Sequence, residues 1–202
     1  MSPSPRNPED HKDRDPRDRG NFLESSIKLF RTYRSLGEKA MAQLSHEELL
    51  RRPNDESNSI AHIVHHLSGN MLSRFTDFTT TDGEKPWRNR EKEFEEAYPD
   101  KASLMADWEK GWSCVFAALE PLRESDLPTI VYIRNEGHTV LEAIQRQLAH
   151  YASHVGQIIY QAKVIKGSQF QSLSIPRGGS AGFNEEKFGQ EKTRRHFTDG
   201  LK

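Results

Sequence analysis

The stretch TVLEAIQRQLAHYASHVGQIIYQAKVI, residues 139–165, decides the fold. Val140, Ile144, Leu148, Tyr151, Val155, Ile158, Ile159 and Ala162 recur in it at threes and fours. One face of a long helix is therefore apolar and needs a partner to bury it. The same stretch carries His150 and His154, spaced i,i+4. That spacing stacks two imidazoles one turn apart on one face, where both can chelate a single metal ion. On a helical wheel of about 100° per residue with Val140 at zero, the apolar stripe centres near roughly 55°, and His150 and His154 fall near about −80° and −40°. Gln147 and Gln161 lie beside them, so a polar seam borders the apolar one and can face a neighbouring helix or a pocket.

Three more amphipathic segments precede this helix. The first begins at about Asn21 and carries Leu23, Ile27, Phe30, Gly37, Met41 and Leu44, with Arg34 as a polar interruption. SHEELLRRPNDESNS (residues 45–59) breaks the pattern, and Ser57, Asn58 or Ser59 can cap the next helix. The second helix then runs to about Phe78 on Ile60, Val64, Leu67, Met71, Phe75 and Phe78. A long polar connection, TTTDGEKPWRNREKEFEEAYP (79–99), leads to a third helix from Asp100 to Glu120 with Leu104, Trp108, Val115 and Leu119 inward. Between the third and fourth helices, Ile130 to Ile133 favours a strand, Asn135-Glu136-Gly137 a turn, and His138 to Val140 a short return. At most a short β-hairpin is expected there. Four amphipathic helices of this length predict an all-α four-helix bundle with a long crossover between the second and third.

The chain has 202 residues, with 29 Lys+Arg against 30 Asp+Glu, a formal net charge of −1. Its mean hydropathy of −0.85 is polar for a globular chain. Much of that polarity lies at the ends. The first twenty residues hold four prolines, five bases, five acids and one apolar residue, Met1. We expect a disordered tail over 1–19, a bundle over 20–166, and a Gly/Ser-rich extension over 167–202 partly packed on the bundle. Phe170, Phe183 and Phe188 are the candidate anchors of that extension. The balanced charge argues against nucleic acid or an anionic membrane as partner. No run approaches the ~18 apolar residues of a spanning helix, the N-terminus lacks a secretory pattern, and the single cysteine, Cys114, makes no internal disulfide. These features predict a cytoplasmic protein.

Five of the nine histidines fall in two windows: His62, His65 and His66 in the second helix, and His150 and His154 in the fourth. A second cluster on another core helix favours a metal site over boundary histidines. The wheel leaves the third ligand open, since His65 and His66 lie on opposite sides of the apolar stripe and His62 points away. No Glu-x-x-His, His-Glu-x-x-His or Cys-x-x-Cys occurs, which argues against di-iron, zincin and cysteine-based sites. An all-imidazole mononuclear site suits Zn, Ni, Fe or Cu, and three protein ligands leave a position open.

HHLSGNMLSRFTDFTTTDGEKPWRNR (65–90), IRNEGHTVLEAIQRQLAHYASHVGQIIYQAK (133–163) and SLSIPRGGSAGFN (172–184) together resemble an uncharacterised, largely bacterial branch of the DinB/YfiT-like superfamily of metal-dependent enzymes. The resemblance covers roughly residues 20–184. It implies a four-helix bundle with a crossover between helices two and three, and a homodimer. Its metal triad maps onto His66, which precedes Leu67, and onto His150 and His154, which precede Val155-Gly156-Gln157. Many relatives carry His-His-Arg-Gly-Gln where this chain has Ser153-His154-Val155-Gly156-Gln157, so the Arg of that pattern is missing here. Several relatives are S-transferases acting on a low-molecular-weight thiol, and others resemble hydrolases or isomerases.

The expected function is therefore that of a metal-dependent enzyme with one divalent ion per chain (Zn, Ni, Fe or Mn) and a small-molecule substrate such as a low-molecular-weight thiol. The alternative is a non-catalytic, homodimeric metal-binding or stress-related protein. Gln147, Gln157 and Gln161 are candidates to orient the imidazoles, although an ordinary polar face suits Gln161 better. Trp87, Arg88, Asn89 and Arg90 can cover the site and hold an anionic group, or Trp87 can simply pin the crossover. Cys114 reads as a core residue rather than a nucleophile. Unperturbed imidazoles titrate near ~6.5, so proton competition with the metal is expected through roughly pH 6 to 5.

Overall fold

A computed structural model describes residues 20–95 and 98–200; the expected tail over 1–19 lies outside the described residues. The helices are α1 (Gly20–Ala42), α2 (His46–Leu50), α3 (Ile60–Phe75), α4 (Lys101–Leu119), α5 (Val140–Lys166) and α6 (Ser180–Phe188). One small antiparallel hairpin, β1 (Ile130–Ile133) and β2 (Glu136–Thr139), precedes α5. Helices α1, α3, α4 and α5 form the expected bundle: α3 packs along α4, α1 along α5, and α3 meets α5 across the middle. No helix among the described residues is long and apolar enough to cross a membrane.

The stripes read from the sequence are the faces that meet. Leu23 and Phe30 of α1, Leu67 and Met71 of α3, Trp108 and Trp112 of α4, and Ile144 and Tyr151 of α5 are all buried. Phe30, Trp112 and Tyr151 close a ring triangle at 6.2, 5.9 and 5.7 Å between centroids, joining three helices. Such tilted and edge contacts add to the apolar area buried. Three of the four bundle helices, α3, α4 and α5, have a side-chain cap at their start. Ser59 accepts from the His62 amide at 3.1 Å, Asp100 from that of Ser103 at 2.7 Å, and Thr139 from that of Glu142 at 3.1 Å.

Three local features differ from the sequence expectation. The segment that breaks the first pattern still makes one helical piece, α2, because Ser45 and Glu48 form a capping box and Leu49 is buried. Helix α3 stops at Phe75, not Phe78, and Asp77 turns to φ 48° just beyond it. The hairpin turn lies at Arg134-Asn135, with φ 57° and 62°, whereas Gly137 sits inside β2 opposite Tyr132. A two-residue loop with both φ positive matches the right-handed twist of the strands. Asp82 completes it from the crossover, its carboxylate accepting from the Arg134 and Asn135 amides at 2.8 Å each.

The crossover is stitched to the bundle by polar contacts. Ser73 donates to the Gly83 carbonyl at 2.7 Å and accepts from the Lys85 amide at 3.2 Å, while the Gly83 amide donates to Tyr132 at 2.8 Å. Trp87 is 57% exposed and does not pin it. In the C-terminal region Phe170 packs against the core, whereas Phe183 is only partly covered, Phe188 stays largely exposed and α6 buries no residue.

Gly37 of α1 faces the Trp108 indole, and a Cβ there would sit 2.6 Å from a ring carbon. Alanine gains about 1 kcal/mol of helix propensity over glycine, but overpacking a rigid, fully buried ring costs about 1–3 kcal/mol. Gly37→Ala should therefore destabilise the protein by up to about 2 kcal/mol, read as a lower urea midpoint. A midpoint at or above that of the parent would show that α1 and α4 do not approach this closely.

Candidate metal centre

Where α3 passes α5, His66, His150 and His154 come together. His66 Nε2 lies 3.3 Å and His154 Nε2 3.1 Å from His150 Nε2, and all three ligand atoms lie within 4.8 Å of one another. Nitrogens about 2.0–2.1 Å from a tetrahedral ion stand roughly 3.3 Å apart, so the two measured edges have the right scale. Helix spacing explains the α5 pair. The third member depends on how α3 is rotated against α5, which brings in His66.

Two of the three rings have their tautomers set by neighbours. Glu93 Oε2 lies 2.9 Å from His66 Nδ1, and a carboxylate only accepts, so Nδ1–H donates and Nε2 keeps its lone pair. Gln157 Oε1 does the same for His154 Nδ1 at 2.9 Å. Glu93 is itself held by Arg88, whose Nε and Nη2 donate at 2.7 and 3.0 Å. Burial alone would raise the Glu93 carboxyl, but the His66 and Arg88 donors outweigh it and hold it below the usual range. The carboxylate seats over Gly69, where a Cβ would come within 2.9 Å of its Cδ. Two converging lone pairs with at most one proton, on His150, between them form a donor set that a cation satisfies. The residues present fit a metal ion.

The other candidates lie elsewhere. His62 belongs to the α3 cap, its Nδ1 accepting from the Ser59 amide at 3.3 Å. His65 turns to Tyr98, 5.6 Å between ring centroids, and its buried Nδ1 has no hydrogen-bond partner. Gln147 is buried beside the cluster with its Oε1 unpartnered, whereas Gln161 donates to the Asn58 carbonyl at 3.1 Å, away from the histidines. Cys114 sits 3.6 Å from Thr76 Oγ1, and burial raises its thiol. Glu93 was not found from the sequence. EKEF (91–94) reads as a solvated charge run, yet it forms a single 3-10 turn that buries Glu93. No periodic signal marks such a residue.

A cavity of about 240 Å³ opens beside the cluster, with His66 and His150 on its wall. Arg74, Arg88, Arg90, Arg134, Arg146 and Gln147 line it as well, with Asn70. Of the expected covering residues, Arg88 and Arg90 reach this wall and Trp87 does not.

Burial, followed by the charges of His154 and His66 and of Arg74 and Arg88, pushes His150 down to about 3. Burial also lowers His154. Protons therefore leave these two rings at lower pH than the ordinary ~6.5 from which competition was expected. The sign follows by linkage. Between about 3 and ~6.5 the unfolded chain binds a proton at His150 that the folded chain refuses, so stability is lost as pH falls through that window. With a chelator present, the denaturant midpoint should drop from pH 7 to pH 5, and His150→Gln should make that drop shallower. An unchanged slope would mean that the ring is not kept neutral by the fold.

No curated protein and no solved structure matches the chain. A comparison with protein families matches residues 18–179 to DUF1572, described as a protein of unknown function. That match spans α1 to α5 and includes all three clustered histidines, as well as Glu93 and Arg88. The chain belongs to the DUF1572 family, and within it carries a three-histidine cluster that can hold a metal ion.

Proposed function

We propose that this protein is a metal-dependent enzyme of the DinB/YfiT-like superfamily, with a mononuclear centre on His66, His150 and His154. The observation that carries the reading is the convergence of three imidazole Nε2 atoms, two of them with their lone pairs fixed inward by Glu93 and Gln157. A divalent cation held there (Zn, Ni, Fe or Mn) supplies the Lewis acidity that lowers the pKa of a low-molecular-weight thiol or a water beside it. The cluster has three members among the described residues, which supports an open catalytic position over the four-ligand pattern of structural zinc.

The protein's own groups divide the remaining work. Glu93, clamped by Arg88, orients His66 and raises its basicity toward a cation. Gln157 orients His154. The cavity wall beside His66 and His150 receives the substrate, a small molecule. The resemblance carries with it a homodimer, composition favours a cytoplasmic location, and the helix pattern makes the bundle over 20–166 the working unit, with 167–202 as an extension.

Elemental analysis of the reconstituted protein should give about one divalent ion per chain. His150→Ala should abolish binding, and His66→Ala should weaken it far more than His65→Ala. Glu93→Gln should cost about 10–100-fold in affinity. No ion after loading with any of the four metals would overturn the centre, and equal losses at His65 and His66 would overturn the ligand assignment. Conjugation of bacillithiol or a simpler thiol to an electrophile should vanish with chelator and return on re-metallation. Transfer that survives chelation and His150→Ala would refute the mechanism, and metal binding without turnover would favour a non-catalytic binding protein.

A further inference from the structure

The cavity beside the histidines is lined by five arginines, and no carboxylate lines it among the described residues. The charge does not cancel. Glu84 Oε2 receives Arg74 at 3.1 Å and Arg134 at 3.0 Å, and Glu93 receives Arg88 at 2.7 Å. Arg90 and Arg146 have no carboxylate partner among the described residues; Arg146 reaches only His138, at 3.3 Å. Five guanidinium groups thus face two carboxylates, and two of them are exposed at the rim with no counter-charge.

The deeper wall has unused polar capacity as well. Arg74 has only 6% of its side chain exposed, yet its Nε–H has no partner. Asn70 spends its Oδ1 on the Tyr151 hydroxyl at 3.1 Å, which leaves its amide N–H groups as donors. Gln147, 3% exposed, is the exception on this wall, because its unpaired atom is Oε1, an acceptor that takes an N–H or O–H rather than an anion. Buried donors without partners are rare in folded proteins, and each calls for a partner such as a water, an ion or a ligand. These groups are donors almost without exception, and arginine forks match the planar or tetrahedral oxygens of carboxylates and phosphates.

We infer that this cavity is an oxyanion subsite holding the dianionic end of a small substrate, a phosphate monoester or a dicarboxylate. Arg90 and Arg146 neutralise it at the rim, and Arg74 Nε and Asn70 bind it from the wall. The inference rests on the proposed metal centre only for direction: the anion sits beside His66 and His150, so the rest of the substrate points its reactive atom toward the three Nε2 atoms. Binding of the anion itself needs no metal. The volume of about 240 Å³ admits such a group with a few further atoms.

Titration calorimetry tests this with inorganic phosphate and succinate, on the full chain, zinc-loaded and chelator-stripped. At least one of the two should bind the stripped protein, more tightly at low ionic strength. The tighter of the two identifies the class. Arg90→Gln with Arg146→Gln, both surface changes, should weaken that anion at least tenfold while zinc content stays at its parental value. Binding of neither anion to the stripped protein would overturn the subsite. So would equal binding by the double variant, because the anion would then sit on the metal or be adventitious. If the parent takes up no zinc yet binds the anion through the arginines, the subsite stands and only the metal centre falls.

Discussion

The Glu93 carboxylate joins the fold of this protein to its chemistry. It lies 3% exposed, with Arg88 on one side and His66 on the other, over a glycine that leaves room for it. Burying a carboxylate is costly, and removing one partner of a buried pair typically costs about 3–5 kcal/mol because the remaining charge is left uncompensated. Arg88, Glu93 and His66 therefore hold one another in place. Through them the long crossover is fixed to α3, and the face of α3 toward α5 is fixed with it. A polar connection of more than twenty residues would otherwise have little apolar area with which to hold a single position.

The same arrangement sets the electrostatics. Burial and the nearby cations favour neutral imidazole at His150, which is the form that donates a lone pair to a metal. The arginines that disfavour imidazolium also make the adjoining cavity attractive to anions. Burial is the larger cause at His150 and the arginines add to it, while the same arginines line the adjoining cavity with positive charge. Their concentration arises from the crossover and the hairpin. Glu84 draws Arg74 of α3 and Arg134 of the hairpin turn to one carboxylate, and Asp82 fixes that turn through its backbone amides.

Much of the architecture was legible in the residues. The four apolar stripes, a cap within Ser57 to Ser59, the hairpin before α5 and the i,i+4 histidine pair all follow from local spacing and propensity. The terms that depend on contacts between distant segments were not legible. Helix α2 has one local signal, the Ser45–Glu48 capping box, but also depends on the burial of Leu49, and the placement of the turn at Arg134-Asn135 depends on acceptors supplied by Asp82, over fifty residues away. Trp87 has the composition of an anchor, but polar bonds from Ser73 and Gly83 already hold the crossover there.

The sequence by itself determined the bundle and the pair His150 and His154, because a period of 3.6 residues settles both which face is apolar and which side chains stack. The choice of His66 over His65 lay beyond that period, since the two are symmetric about the apolar stripe; the family resemblance selected His66, and the packing of α3 on α5 brings it to the pair. Only the tertiary structure decided that Glu93 leaves its charge run to orient His66, and that five arginines from four separate segments share one cavity. Those arrangements arise from long-range Coulombic pairing and the desolvation of particular groups. Both depend on distance in space, which the order of residues along the chain does not encode locally.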